Sequence, residues 1–374
     1  MIRERTGLLL DSYFSATKIE WILSNVEGAR AKAEAGNLAF GTVDTWLLWN
    51  LTDGAVHATD ATNAGRTMLF NINTQDWDEA LLKLFNIPRA LLPEVKDNVA
   101  DFGHSTKETL GKTIPVGGMA GDQQAALIGQ ACFERGMIKS TYGTGCFALM
   151  NIGDTFRESK HRLLTTCAYR LDGKVNYAIE GSIFVAGAAV QWLRDGLGLF
   201  KDAAESEILA SSVDDNNGVY FIPAFTGLGA PHWDPHARAS ITGLSRESTA
   251  AHITRAALEA QAYQTLDLMR AMAADTGHHP DIIRADGGLM NNSFVCQFLA
   301  DILDKPVETP KVTETTAMGA AYLAGLQVGI YNGLSDINKN WQRKRLYTPK
   351  MDAKTRKELY DCWGEAVASL LRKN

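Results

Sequence analysis

The sequence from position 114 to 130 reads Ile114-Pro-Val-Gly-Gly-Met-Ala-Gly-Asp-Gln-Gln-Ala-Ala-Leu-Ile-Gly-Gln130. Its apolar start, glycine-rich middle and helix-forming end predict a short buried strand, a tight turn and the start of a helix. Asp122 and Gln123 lie where the turn meets the helix. The helix dipole favours an ionised carboxylate at that point. Asp122 could therefore accept a proton from a bound hydroxyl, or it could simply cap the helix, because Asp is a preferred capping residue.

The composition sets the broad class of the protein. The chain has 374 residues, of which 45% are hydrophobic and 21% charged, and its net charge is −6. These values are typical of a globular protein long enough for two domains. There is no strong run of Lys or Arg and no apolar run of membrane-spanning length, which argues against a nucleic-acid partner and against membrane insertion. The five scattered cysteines form no Cys-x-x-Cys pair, which favours a reduced, cytoplasmic protein.

Strand and helix patterns alternate along the chain. They predict an α/β protein with two lobes, residues 1–130 and 131–374. Two hairpins, around Gly143-Thr-Gly145 and Asp172-Gly173, suggest an antiparallel meander at a sheet edge. We also expect a helix over 12–25 capped by Ser15 or Thr17, a core segment over 40–49 and a hydrogen-bonded loop over 59–63. A long helix is predicted over 250–272. A final helix is predicted to be capped by Asp352, and its buried face would comprise Leu359, Cys362, Ala366 and Leu370.

Three glycine-bearing turns follow predicted strands, at 117–122, 143–145 and 287–288. Backbone N–H groups and a hydroxyl in such a turn can hold phosphate oxygens, although a lone Gly-Thr-Gly also serves hairpin geometry. The turn at 287–288 comes at the carboxyl end of a strand, where open α/β sheets place ligands. Gly187 opens a helix of small residues, either for close packing or so that a ligand can rest against it.

Together with Asp122, these turns match one family. The segments from Tyr13 to Leu23 and from Ala239 to Glu259 resemble the two signatures of the FGGY carbohydrate kinases. Gly121-Asp-Gln-Gln124, Ser140-Thr-Tyr-Gly-Thr-Gly-Cys-Phe147 and Phe225-Thr-Gly-Leu-Gly-Ala-Pro231 are similar to the members that phosphorylate glycerol. The resemblance runs over nearly the whole chain. It implies a two-lobed actin-like ATPase fold of the ribonuclease H-like type.

The resemblance also implies a reaction, in which the γ-phosphate of ATP passes to glycerol and yields glycerol 3-phosphate and ADP. Asp122 would be the general base, with Mg²⁺ nearby and held through water. The glycerol pocket would comprise Tyr13, Asp122, Gln123 and Phe147. The nucleotide site would comprise Thr144, Gly187, Gln191, Gly288 and Asn292. The two lobes are expected to close on the substrates and exclude water.

The chain departs from the family pattern in three respects. The family's Asp-x-Gly-Thr-Thr-Ser phosphate hairpin and its glycerol-gripping Arg-Glu pair have no counterpart, so we expect a first lobe that is incomplete at its N-terminus. We also expect a homo-oligomer or a complementing N-terminal fragment, because uncovered sheet edges favour pairing. The connection over 106–113 lacks the Gly-Gly-x-Gly-Gly-x-Arg loop, so control by a sugar bisphosphate is not expected. Two alternatives remain: a truncated, catalytically impaired nucleotide-binding fragment, and another FGGY sugar kinase.

Overall fold

The computed structural model describes residues 1–371. The helices are α1 Ile2–Thr6, α2 Ser15–Asn25, α3 Ala29–Glu34, α4 Val43–Leu51, α5 Ala61–Ala64, α6 Glu79–Leu84, α7 Lys107–Leu110, α8 Asp122–Gly129, α9 Gly187–Asp195, α10 Glu205–Ser211, α11 Ala250–Thr276, α12 Ser293–Leu303, α13 Thr315–Gln327, α14 Leu334–Asn340 and α15 Ala353–Leu370. The strands are β1 Ala58–Asp60, β2 Phe70–Asn71, β3 Asp76–Trp77, β4 Glu94–Lys96, β5 Ile138–Tyr142, β6 Cys146–Gly153, β7 Leu164–Leu171, β8 Lys174–Ile183, β9 Tyr220–Ile222, β10 Ser240–Thr242, β11 Ile283–Asp286, β12 Val307–Pro310 and β13 Arg343–Tyr347.

A seven-stranded sheet forms the centre of the second lobe. Its strand order is β13-β12-β11-β5-β6-β8-β7. Strands β5, β11 and β12 are parallel, and the other neighbours are antiparallel. Thr141 on β5 lies opposite Asp286 on β11. The two parallel strands therefore end together, and the glycine turns that follow them meet at one edge of the sheet.

The hairpin between β7 and β8 is confirmed, but the meander is wrong. Asp172 and Gly173 form its turn with φ angles of 50° and 70°. Strand β8 lies between β6 and β7, so β7 takes the outer position. There the Thr165 N–H donates to the carbonyl of Gly7 at 3.0 Å. The first lobe thus covers the strand that would otherwise be an open edge.

The first lobe contains two small strand pairs, β1 with β4 and β2 with β3. Its apolar residues, such as Phe14 and Phe70, share one buried cluster with Ile138 and Tyr142 of the large sheet. The predicted loop over 59–63 is wrong, because this segment forms the end of β1 and helix α5. The Asp60 side chain accepts a hydrogen bond from the Thr62 N–H and so caps that short helix.

Helix α4 contradicts the prediction that residues 40–49 belong to the core. Val43, Trp46 and Leu47 are 71%, 62% and 57% exposed. Only Thr45 and Leu48 of this helix are buried. Apolar residues lie all around α4, so its sequence pattern does not indicate which face is covered.

Other helices agree with the predictions except at their ends. Helix α2 begins at Ser15, and its N-cap is Phe14 without a side-chain bond, so neither predicted cap is used. Helix α11 is confirmed and extends to Thr276. Asp352 caps α15 as predicted, but Cys362 is exposed while Trp363 is buried. No helix within residues 1–371 is long and apolar enough to cross a membrane.

Candidate active site

A cavity of about 530 Å³ opens at the edge where β5 and β11 end. Its walls come from the turn after β5, helix α9, the loop before α10 and the 3₁₀ turn Gly288–Asn291. All five residues predicted for the nucleotide site line it: Thr144, Gly187, Gln191, Gly288 and Asn292. The sequence positions of these residues span 148 places, and the parallel pairing of β5 with β11 brings them together.

Gly187 joins helix α9 to the turn after β5. Its N–H donates to the carbonyl of Gly143 at 2.9 Å, and the Ala186 N–H donates to that of Thr144 at 2.8 Å. A Cβ atom at Gly187 would lie 2.6 Å from the Gly143 oxygen. The glycine is therefore required by close packing of helix against turn, which was one of the two interpretations left open.

Gly288 differs from its neighbour Gly287. A Cβ atom at Gly287 would lie 2.4 Å from the carbonyl oxygen of Tyr142, and its φ is 96°. A Cβ atom at Gly288 would meet no atom within 4 Å. The fold therefore requires Gly287, whereas Gly288 leaves open space at the cavity wall.

Asn292 is a buried residue of the cavity lining and is the N-cap of α12. Its Oδ1 accepts from the Val295 N–H at 3.1 Å, and its Nδ2 donates to Ser206 Oγ at 3.4 Å. Its side chain thus fixes the start of α12 at the cavity wall.

Arg194 is a cavity residue that sequence reasoning missed. It is the only cationic side chain on this wall within residues 1–371, and its Nε donates to Asp195 at 2.7 Å. Gln191 and Arg194 are three residues apart on α9, so helical spacing was a signal that could have linked them.

Asp122 and Gln123 form the first turn of α8. The N-cap is Gly121, so the capping role considered for Asp122 is wrong. Asp122 is exposed, and its two carboxylate oxygens accept from the Gln123 N–H at 2.8 Å and from Gln123 Nε2 at 3.3 Å.

Lys139 brings three of the four predicted glycerol residues together. Its Nζ donates to Gln123 Oε1 and to the carbonyl of Phe147, the latter at 3.4 Å. Phe147 is 37% exposed. Burial lowers the pKa of Lys139, and the negative charge of Asp286 offsets this in part. The strands that carry Lys139 and Phe147 continue into the turn at 143–145, so the two groups of predicted residues share one hairpin.

Tyr13 stands apart from this group. It is 70% exposed, and its ring packs edge-on against Phe14 at 5.4 Å between centroids. Within the described residues, no hydrogen bond joins Tyr13 to Asp122 or Gln123. Its place in the predicted glycerol pocket therefore stays a prediction.

A buried network behind Asp122 was also missed. Thr62 Oγ1 accepts from the Gly121 N–H at 2.9 Å. Asp60 Oδ2 in turn accepts from the Thr62 N–H at 2.6 Å and from Asn98 Nδ2 at 2.7 Å. Burial raises the pKa of Asp60 to about 6. This network fixes the backbone that immediately precedes Asp122.

Comparison with known proteins decides the family. The N-terminal domain model of the FGGY family of carbohydrate kinases matches residues 1–129, and its C-terminal domain model matches residues 138–328. The chain belongs to the FGGY family of carbohydrate kinases. Both FGGY domains are thus represented, and the two-lobed α/β fold of these kinases is confirmed.

FGGY members with high identity carry the name glycerol kinase. The chain is 64% identical to the glycerol kinase of Nitrosomonas eutropha over 371 residues, which is 99% of this chain and 74% of that protein. It is 58% identical to the glycerol kinase of Petrotoga mobilis, with 98% of this chain and 74% of that protein covered. The expectation of an incomplete first lobe stays a prediction.

Solved FGGY structures agree with the fold. The crystal structure of Plasmodium falciparum glycerol kinase with ADP has a TM-score of 0.95 at 40% identity, and covers 100% of this chain and 75% of that one. A ligand-bound xylulose kinase from Lactobacillus acidophilus has a TM-score of 0.87 at 23% identity, over 99% of this chain and 74% of that one. The second likeness concerns the fold alone.

The family resemblance implies Mg²⁺ bound together with the nucleotide, so the side chains that could hold this ion matter. Within residues 1–371, no cluster of three or more His, Cys, Asp or Glu side chains could hold a metal ion. Mg²⁺ usually keeps several waters and binds through one or two carboxylates plus substrate phosphates. The exposed carboxylate of Asp122 fits that water-mediated mode, and the described residues form no dedicated metal cage.

Proposed function

We propose that this chain transfers the γ-phosphate of ATP to glycerol and produces glycerol 3-phosphate and ADP. The observation that carries the proposal is the shared hairpin of β5 and β6. Its turn lines the cavity with Thr144, while its strands contact the Asp122–Gln123 pair through Lys139. The glycerol kinases among the relatives support glycerol as substrate, and the ADP in the Plasmodium crystal structure supports a nucleotide in the cavity.

The nucleotide occupies the cavity, with its adenosine end between α9 and the Gly288 turn. Its β- and γ-phosphates lie toward Thr144. Phosphoryl transfer needs positioning and charge neutralisation more than covalent chemistry. Arg194 and Gln191 on α9 and the Thr144 hydroxyl are among the donors that the cavity wall offers. Bound Mg²⁺ supplies further charge neutralisation, and Asp122 would hold it through water.

Asp122 acts as general base. A glycerol hydroxyl gives its proton to the carboxylate as its oxygen attacks the γ-phosphorus, and the bond from that phosphorus to the ADP oxygen breaks. Gln123 donates to the same hydroxyl or to its neighbour, and the exposed part of the Phe147 ring covers the carbon chain.

A substrate panel tests this function. We expect purified protein with Mg²⁺-ATP to form ADP with glycerol at a kcat/KM at least about 100-fold above that with xylulose or gluconate. A preference for either sugar substrate would reject glycerol and would favour another FGGY sugar kinase.

A second candidate function is nucleotide binding without transfer. It is favoured by the single cation, Arg194, on the cavity wall of residues 1–371, because the transferred phosphate carries more charge than one cation neutralises. Calorimetry with ADP, run beside the panel, separates the two: binding without turnover on any substrate supports the second candidate. The expected complementing fragment and self-association stay predictions.

A further inference from the structure

Lys139 is a fully buried lysine and the second residue of β5. Its ammonium group has three N–H donors and meets three neutral acceptors. These are Gln123 Oε1, Thr141 Oγ1 at 3.2 Å and the carbonyl of Phe147 at 3.4 Å. The group is therefore satisfied by hydrogen bonds, and one of its bonds points at a residue beside the reacting carboxylate.

This arrangement fixes the orientation of the Gln123 amide. A glutamine amide has an acceptor oxygen at one side and a donor NH₂ at the other. Lys139 can only donate, and the Asp122 carboxylate can only accept. The oxygen must therefore face Lys139, and Nε2 must face Asp122, whose Oδ2 lies 3.3 Å away. In the reverse orientation, the amide NH₂ would face the ammonium group of Lys139, a donor against a donor. The amide oxygen would face the carboxylate of Asp122, an acceptor against an acceptor.

A purely structural role explains this lysine poorly. Burying an ammonium group costs free energy, and a well-packed apolar side chain in the same space is often as stable or more stable. Burial indeed lowers the pKa of Lys139. The next residue on the strand, Ser140, is equally buried and bonds in another direction, to Cys146 Sγ at 3.1 Å. Of these two neighbouring buried residues, only Lys139, the charged one, bonds to Gln123.

We propose that Lys139 is a positioning residue for the acceptor substrate, because it locks Gln123 with an N–H directed at the space beside Asp122. This inference rests on the proposed function of the same site. A hydroxyl in that space gives its hydrogen to Asp122 and accepts a hydrogen bond from the second N–H of Gln123. Asp122 as acceptor and Gln123 as donor are together complementary to a hydroxyl group. The hydrogen bond from Lys139 fixes the Gln123 amide so that its NH₂ end faces the substrate.

Kinetics of Lys139→Met test the inference, since methionine keeps the length of the side chain and removes its charge and donors. We expect KM for glycerol to rise about tenfold while the Kd for ADP changes less than about twofold. Ser140→Ala is the matched control on the same strand and should leave both constants within about twofold of wild type. An unchanged KM for glycerol in Lys139→Met would overturn the inference.

A double-mutant cycle with Gln123→Met separates positioning from a general structural effect. If Lys139 acts through Gln123, adding Lys139→Met to Gln123→Met should change KM for glycerol by less than about twofold. A full additional tenfold loss in the double variant would mean that Lys139 acts independently of Gln123 and would overturn the inference.

Crystal structures provide a readout that does not depend on turnover. In ligand-free Lys139→Met, we expect the Gln123 side chain to leave its place or to occupy two orientations. An unchanged, well-ordered Gln123 would overturn the inference.

If that variant does not fold, wild-type crystals soaked with glycerol provide the test. A Gln123 oxygen that turns away from Lys139 overturns the inference, and one that stays beside Lys139 supports it. Absence of turnover in the wild type as well as in every variant, together with a displaced Gln123 in Lys139→Met, would reject the proposed reaction and leave the positioning of Gln123 by Lys139 standing.

Discussion

Gly288 is a position at which a side chain could fill part of the cavity without a clash with the fold. A side chain there would project into open space, since a Cβ atom would meet no atom within 4 Å. We expect Gly288→Trp to fold normally and to weaken ADP binding at least about 50-fold, because the indole would fill part of the space that the ligand needs. Isothermal calorimetry measures the loss.

Gly364→Trp is the matched control. Gly364 lies on the exposed side of α15, and a Cβ atom there also meets nothing within 4 Å. This variant should bind ADP as the wild type does. Equal ADP affinities of Gly288→Trp and the wild type would show that the cavity is not the nucleotide site.

Asp60 gives the stability of the protein a specific pH dependence. Burial raises the pKa of this carboxyl from 3.8 to about 6, with a contribution from the negative charge of Asp44. The folded state therefore binds the proton more tightly than the unfolded state does. The stabilisation from the protonated form is complete below about pH 4 and is lost as the pH rises to about 6, with a total on the order of 3 kcal/mol.

Asp60→Asn isolates this contribution, because the variant has no proton to lose. The free energy of unfolding of the wild type minus that of the variant should fall between about pH 4 and pH 6 and then stay level. Urea titrations at several pH values measure it. A difference that stays constant over that range would contradict an elevated pKa of Asp60.

At the residue scale, the sequence indicated which residues line the cavity but not which contacts hold the site residues in place. The resemblance to the FGGY family assigned Thr144, Gly187, Gln191, Gly288 and Asn292 to one nucleotide site, and all five line one cavity. The contacts that hold the site residues in place depend on pairs that are distant in sequence, such as Thr62 with Gly121 and Lys139 with Gln123. No local pattern predicts such contacts, because they arise only when the lobes and strands pack.

At the scale of elements, the contact between α9 and the turn at 143–145 sets the shape of the cavity. A methyl group at Gly187 would lie 2.6 Å from the Gly143 oxygen, so the helix and the turn must separate to accommodate it. We expect Gly187→Ala to weaken ADP binding about tenfold and to lower the free energy of unfolding by about 1–3 kcal/mol. Calorimetry and urea unfolding measure the two effects.

Gly364→Ala controls for the change from glycine to alanine in a helix. It lies in the middle of α15 with open space around the added methyl, and alanine should stabilise that helix by up to about 1 kcal/mol. If Gly187→Ala behaved in the same way, the close contact between α9 and the turn would not matter for the site.

Elements whose apolar residues recur at a regular spacing could be predicted, and elements without such a spacing could not. The apolar spacing of α11 predicted a long helix, and the structure has it. Helix α4 has apolar residues on every side, so its exposure could not be derived from its pattern. The order of β6, β8 and β7 likewise depends on which strand the first lobe covers, which the hairpin signals do not contain.

At the scale of the whole molecule, an ion pair links the first lobe to the large sheet. Arg66 donates to both carboxylate oxygens of Glu180 on β8, at 2.8 and 3.1 Å. The Glu180 side chain is 4% exposed and that of Arg66 is 22% exposed. We expect Arg66→Met to destabilise the protein by about 3–5 kcal/mol, because it leaves a buried carboxylate without its partner.

The double variant Arg66→Met with Glu180→Met should recover at least about 1 kcal/mol of that loss, since both charges are then gone. Thermal unfolding and urea titration of the three variants measure the pattern. A double variant less stable than Arg66→Met would show that the pair is not what makes the single change costly.

The central claim for the whole molecule is that both lobes serve one reaction with Asp122 as its base. The most direct test is glycerol-dependent formation of ADP from Mg²⁺-ATP by the purified chain and by Asp122→Asn. We predict turnover by the wild type and a loss of at least about 1,000-fold in kcat in the variant, with the Kd for ADP within about twofold of the wild-type value. Turnover that survives in Asp122→Asn would contradict the claim.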